Sequence, residues 1–300
     1  MEARQCLLQM YKKISSMLGN ENIELANIQF YIGLTYQKTG NWKDAKKCLD
    51  DSIYIRKVHG QYHQKLTAET LDIIGDIVNE QKKSRALQAS EMHYLESMRL
   101  YTNLHMMKEA AMMHYKIAKF YAAKDRHEKS LVHLEKSIVT FRVLTGGFKS
   151  PISDIYLSLG NAHEALNHVD RAIACYDFCI KSSKTDIVAT KAFINKGKVL
   201  CRNSKYEEAL LCLSTALQIG VDGSKQEIQA EVLVARGQVS DLMNKHGLAL
   251  ESYQNALEIY KKLPKCERDV ATVCQEIANF HIRKKQYKEA IQFTEEALEM

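Results

Sequence analysis

Apolar residues recur at helical spacing along most of the chain, and short polar stretches interrupt them at near-regular intervals. One full cycle is visible in "GLTYQKTGNWKDAKKCLDDSIYI", which starts at Gly33. A glycine stands three residues before Tyr36, Gly-Asn-Trp-Lys-Asp-Ala follows, and an amphipathic run closes the segment. The same order returns in "GKVLCRNSKYEEALLCLSTALQI" from Gly197 and in "ANFHIRKKQYKEAIQFTEEALEM" from Ala278. A glycine inside a helix costs about 1 kcal/mol relative to alanine. Its return at one place in the cycle needs a physical reason.

Aligning the cycles with that glycine as slot 8 gives Gly33, Gly75, Ala118, Gly160, Gly197, Gly237 and Ala278. Successive distances are 42, 43, 42, 37, 40 and 41 residues. Slot 11 holds Tyr36, Val78, Tyr121, His163, Leu200, Ser240 and His281. Slot 20 holds Ala45, Ser130, Ala172, Ala209, Ala249 and Ala290, with Ser90 taking that role after about three extra residues in "NEQKKSRALQAS". Slot 27 holds Ser52, Ser97, Ser137, Cys179, Ala216, Ala256 and Ala297. Trp42, Tyr206 and Tyr287 share slot 17, where an aromatic can seal the turn into a second helix.

These positions predict two antiparallel helices per unit, with small residues at slots 8, 20 and 27 as points of close approach. Gly33 is then present so that another helix can come near. One such unit cannot bury its apolar face alone, so neighbours must stack into a solenoid.

The recurrence of Gly/Ala at slot 8, Tyr at 11 and Ala at 20 and 27 resembles the tetratricopeptide repeat (TPR), over practically the whole chain. The resemblance implies an all-α, right-handed α-solenoid of stacked helix-turn-helix units. The expected units are 26–63, 68–105 (with the insertion), 111–147, 153–184, 190–222, 230–263 and 271–300, in a single continuous solenoid. Residues 1–19 read as the second helix of a truncated leading unit, with Cys6, Leu7 and Met10 in slots 23, 24 and 27. The last unit stops on its second helix without a polar cap, as in a fragment or spliced form, or in a chain whose end a partner covers. The family's usual unit is 34 residues. The longer period resembles the kinesin light chain and nephrocystin type, as does "HGQYHQKLTAETLDIIG", where Gly60, His63, Thr67, Ala68, Thr70 and Leu71 fit that lead-in and Gln64 replaces its proline.

Composition narrows the function classes. Of 300 residues, 46% are hydrophobic, 26% are charged and two are proline, which excludes collagen-like, disordered and disulfide-scaffold chains and disfavours an all-β fold. No apolar run reaches the ~18 residues that span a bilayer, and the N-terminus lacks a signal-peptide pattern. Eight cysteines without a secretory signal suggest free thiols in a reducing compartment, so the reading is cytoplasmic. A net charge of +6 is too mild to imply nucleic acid without a concentrated patch.

Cys175 and Cys179 lie one helical turn apart, yet Cys6, Cys48, Cys175 and Cys212 all occupy slot 23, which points to packing rather than metal binding. His59 with His63 and His163 with His168 lack partner ligands at metal spacing, and His163 at slot 11 is expected to face the core. Phosphate loops and nucleophile–base constellations are missing, with the glycines spent on slot 8 and on linkers that include Gly146 and Gly147. No catalytic, cofactor or metal residue is expected.

In a TPR-like stack the first helices line a concave groove, with slots 2, 5, 6, 9, 12 and 13 pointing in. Those slots are acidic in the second unit (Glu69, Asp72, Asp76, Glu80) and basic in the third (Lys116, Lys119). The fourth and fifth units present Asn161, Lys191, Asn195, Lys198 and Arg202. The sixth returns to acid with Glu231 and Asp241, and the seventh presents Asn279 and Arg283. Asn161 and Asn195 match the asparagines of the family's two-carboxylate clamp, but Leu157, Glu231 and Ala235 stand where its basic members belong, so chaperone C-terminal recognition is not expected. An asparagine pair can hold an extended peptide backbone. Lys191, Lys198 and Arg202 beside it would favour an acidic peptide.

The expected function is a non-enzymatic scaffold that captures a peptide or helical segment of a protein partner. The kinesin light chain and nephrocystin resemblance implies a cytoskeletal, ciliary or transport setting. One alternative is a self-assembling element that stacks or dimerises through uncapped ends. An RNA-reading repeat is a lesser alternative, because the wandering period breaks a one-base-per-unit geometry.

Overall fold

The computed structural model describes residues 2–80, 84–145, 151–183, 187–219 and 226–299. Among the described residues there are fifteen α-helices, one short 3-10 turn and no strand, so the all-α expectation holds. Gly146, Gly147, part of the expected insertion (81–83) and the ends of the units drawn to 147, 184 and 222 lie outside the described residues.

Contacts gather into two compact units, Met1–Lys124 and Asp125–Met300. The first contains α1 (Glu2–Leu18), α2 (Ile23–Lys38), α3 (Trp42–Val58), α4 (Gln64–Glu80), α5 (Ser84–Asn103) and α6 (Met107–Ala122). Each of these helices packs on the next. The second contains α7 (His127–Thr145), α8 (Ile152–Ala165), α9 (Val169–Ser182), α10 (Ile187–Arg202) and α11 (Tyr206–Ile219), then α12 (Gln226–Leu242), α13 (His246–Lys262), α14 (Glu267–Arg283) and α15 (Tyr287–Leu298). Sequential packing holds there too, and α8, α10, α12 and α14 also touch one another in turn. The first helices of successive repeats therefore share one face of the second unit. That is the arrangement of a helical-repeat solenoid.

Trp42, Tyr206 and Tyr287 begin α3, α11 and α15, as slot 17 predicts. Slot 20 is buried in all seven repeats. Ser90 has the expected place, donating to the Gly75 carbonyl at 2.8 Å. The slot-27 serines explain why a polar residue replaces alanine: Ser52 Oγ donates to the Ala26 carbonyl at 2.6 Å and Ser97 Oγ to the Ala68 carbonyl at 2.8 Å. Both bonds tie the second helix of a repeat to the start of its first. His163 faces the core, only 6% exposed.

The slot-8 glycines make room for one side chain. A Cβ on Gly33 would lie 2.7 Å from Leu49 Cγ, and one on Gly197 would lie 3.0 Å from Leu213 Cγ. At Gly75, Gly160 and Gly237 the occupant is a tyrosine ring, from Tyr94, Tyr176 and Tyr253. Close approach was legible in the sequence; the identity of the approaching group was not.

One feature escaped the pattern reading. Seven residues after slot 8 the backbone turns left-handed, at Gly40, Asp125, Asn167, Ser204, Asn244 and Lys285. Asn, Asp and Gly tolerate this conformation best, and at the positions inside one unit it lies between the two helices of a repeat.

Candidate peptide groove

The first-helix face of the second unit carries a ladder of polar contacts from one repeat to the next. Asn195 Nδ2 donates to Asn161 Oδ1 at 2.8 Å, linking α10 to α8. Arg202 pairs with Glu164 across the same two helices. Lys198 Nζ meets Glu231 Oε1 at 2.9 Å, linking α10 to α12. Gln238 donates to Glu276 at 2.9 Å and Arg283 pairs with Asp241, linking α12 to α14. In the first unit, Lys116 holds Asp72 and, at 2.7 Å, Asp76. Burial raises the Asp72 carboxyl above its ordinary value, and Lys116 opposes the rise.

Two of the tyrosines over slot-8 glycines, Tyr176 and Tyr94, bond to polar residues of the first helices. Tyr176 Oη lies 2.6 Å from Glu164 Oε2 and 2.9 Å from Asn161 Oδ1, sharing one proton between them. Burial and then Glu164 hold its phenol above the usual range. Tyr94 Oη donates to Asp76 at 2.7 Å in the same manner. At Gly160 and Gly75 the missing side chain thus lets a buried tyrosine reach a first-helix residue, whereas the Tyr253 hydroxyl over Gly237 is buried without a partner among the described residues.

The predicted candidates therefore divide. Asn161 and Asn195 come together directly. Lys198, Arg202 and Arg283 are held by carboxylates of the chain itself, each from a neighbouring repeat. Lys119 Nζ lies 5.6 Å from the centre of the Tyr115 ring in the first unit. Asn279 and Lys191 are exposed, and Lys191 makes no ion pair among the described residues. It lines a cavity of about 460 Å³ together with residues of α12, α13 and α14. Sequence reasoning missed Glu164 and Tyr176. Opposite charges one repeat apart, as in Glu164 with Arg202, were the available signal.

Of the slot-23 cysteines, Cys48, Cys175 and Cys212 are half-buried and Cys6 is exposed; Cys179, Cys266 and Cys274 are buried, and all eight are unbridged. Burial pushes the Cys175 thiol from the ordinary 9.0 up to about 11. At pH 8 its thiolate fraction therefore falls about a hundredfold, so iodoacetamide should alkylate it about a hundredfold more slowly in the folded chain than after unfolding. Equal rates by peptide mass spectrometry would place this thiol in solvent.

Family models described as tetratricopeptide repeat match residues 188–262, and residues 153–186 and 271–300. The tetratricopeptide-repeat matches all lie in the unit that bears the ladder. Its fold is similar to that of RapI in its apo form, with a TM-score of 0.76 at 12% identity over 97% of this chain and 78% of that one. BtubC (BKLC) from P. vanneervenii gives 0.61 at 13% identity over 73% and 88%. A Rap protein complexed with competence and sporulation factor gives 0.54 at 15% identity over 97% and 78%. At these identities the likeness concerns the fold. Among curated proteins no relative matches. No described helix is long and apolar enough to cross a membrane.

Proposed function

We propose that this chain is a non-enzymatic protein–protein interaction scaffold that holds a peptide or helical segment of a partner along the first-helix face of its second unit. The carrying observation is the Asn161–Asn195 pair. Asn161 Oδ1 accepts from both Tyr176 and Asn195, which fixes the orientation of both amides. Asn161 Nδ2 and Asn195 Oδ1 are left as one donor and one acceptor at neighbouring points, the complement of an extended backbone. Tetratricopeptide repeats generally mediate protein–protein contacts, and one similar fold was solved with competence and sporulation factor bound.

Lys198 and Arg202 flank the pair and are already ordered by Glu231 and Glu164. An acidic ligand residue would enter by exchanging with one of those carboxylates. The long repeats and the Gly60–Leu71 lead-in suggest a cytoskeletal, ciliary or transport complex. A second reading, self-association, is favoured by the apolar face that α15 exposes: Tyr287 is 60%, Ile291 56% and Leu298 82% exposed.

A displayed random-peptide library, panned on the wild-type chain, tests the first reading. Selected peptides should bind Asn161→Ala/Asn195→Ala about tenfold or more weakly, as expected for two lost hydrogen bonds, at unchanged helicity. Undiminished binding would remove the groove from this patch. Light scattering during size-exclusion chromatography decides the second reading, since a mass of one chain at every concentration refutes it.

A further inference from the structure

We infer that the cavity between α10, α12, α13 and α14 is an anchor site for a basic side chain, lysine or arginine, carried by the partner segment. The inference deepens the groove reading above and rests on it. The cavity holds about 460 Å³, within the usual range of roughly 300–1,000 Å³ for ligand pockets. Ile187, Ile228, Val234 and Val273 form an apolar wall, and Glu227, Glu231 and Asp269 supply three carboxylates.

Among the described residues the compensating cations are few. Lys198 neutralises Glu231 at 2.9 Å. Lys191 lines the cavity but makes no ion pair among the described residues. Glu227 and Asp269 have no ion-pair partner among the described residues. Both lie in first helical turns, where an acid is favoured by the helix dipole alone. Their presence would by itself mean nothing more.

Tyr260 separates the two readings. It is only 6% exposed, it lines the cavity, and its hydroxyl has no hydrogen-bond partner among the described residues. Burial, followed by Asp269, Glu231 and Glu227, holds its phenol above the usual range, so the hydroxyl sits in the field of all three carboxylates. An ammonium or guanidinium would donate to Tyr260 Oη and to Glu227 or Asp269, while its methylene stem lay along the apolar wall. A carboxylate ligand would face like charge.

The test uses Nα-acetyl-arginine methylamide as probe, read by the methyl NMR shifts of Ile228 and Val273 in the full chain. Controls are the citrulline analogue, which is neutral and nearly isosteric, and the glutamate analogue. The arginine probe should move both methyl groups in a saturable way and bind about tenfold or more tightly than either control. Glu227→Gln/Asp269→Asn should weaken it by about tenfold, and Lys191→Gln should strengthen it about threefold. Equal binding of citrulline, tighter binding of glutamate, or indifference to Glu227→Gln/Asp269→Asn would overturn the anchor site. Library peptides that need Asn161 and Asn195 but carry no basic residue would sink the anchor and leave the groove standing. Arginine binding in a chain that selects no peptides would do the reverse.

Discussion

Gly160→Ala is expected to destabilise the second unit by about 1–3 kcal/mol, the range for overpacking a tight core, despite a helix-propensity gain of about 1 kcal/mol. The added Cβ would lie less than 3.0 Å from three atoms of the Tyr176 ring. Tyr176 is fully buried, and its hydroxyl is tethered at 2.6 Å from Glu164 and 2.9 Å from Asn161. The ring cannot slide away without breaking the groove-side contact. Gly197→Ala should cost less, because its Cβ would meet Leu213 at 3.0 Å and a leucine can change rotamer. Tyr176→Leu should rescue Gly160→Ala in part, since it recreates the Gly197–Leu213 pairing. A double-mutant cycle in urea, followed by circular dichroism, should give a coupling of at least about 1 kcal/mol. Additive losses would mean that the two side chains do not compete for one space.

Arg56→Ala should cost about 3–4 kcal/mol in the first unit, while Arg56→Met should cost about 1 kcal/mol or less. Arg56 is 1% exposed. Its guanidinium donates to Thr70 Oγ1 at 2.8 Å and to Asn27 Oδ1 at 3.2 Å, and lies 5.4 Å from the centre of the Phe30 ring. One side chain on α3 thereby joins α2 and α4. No carboxylate ion-pairs with it among the described residues, Nε has no partner, and burial lowers its pKa. Burial of the unpaired charge is unfavourable, and the packed stem compensates. Both variants remove the donors to Thr70 Oγ1 and Asn27 Oδ1, but methionine keeps much of the stem, whereas alanine leaves a cavity as well. Hydrogen exchange at the α2–α4 amides would read the effect locally, which suits a repeat array whose unfolding need not be two-state. Equal losses in the two variants would show that the charge, not the stem, holds these helices.

Most of the fold could be read from particular residues. Gly33, Ala45 and Ser52 marked the close-approach points of one repeat, and all three are buried there. Ser90 takes the slot-20 place, where its hydroxyl donates to the Gly75 carbonyl at 2.8 Å. Trp42, Tyr206 and Tyr287 marked helix starts. The left-handed turn residue went unread: Gly40, Asn167 and Asn244 are types that tolerate it, but Ser204 and Lys285, which also adopt it, carry no such signal. Residue type there only lowers the cost of the conformation.

The candidate site was legible in its parts only. Slot periodicity put Asn161, Asn195, Lys198 and Arg202 on one face, because a 3.6-residue period fixes which side chains share a helical stripe. It did not pair them. Whether Lys198 stands free or meets Glu231 depends on the spacing and offset of α10 against α12, set by the volumes packed between them. The same holds for the hydroxyl of Tyr176, which reaches Asn161 and Glu164 because Gly160 has no side chain to block it. The sequence by itself determined which residues are small, which are apolar and how often they return, and so the repeat and its helices. Tertiary structure decided which charges neutralise one another, which tyrosine reaches through a glycine, and where the Tyr260 cavity opens. Those outcomes turn on distances of a few ångströms between helices, and local pattern carries no measure of them.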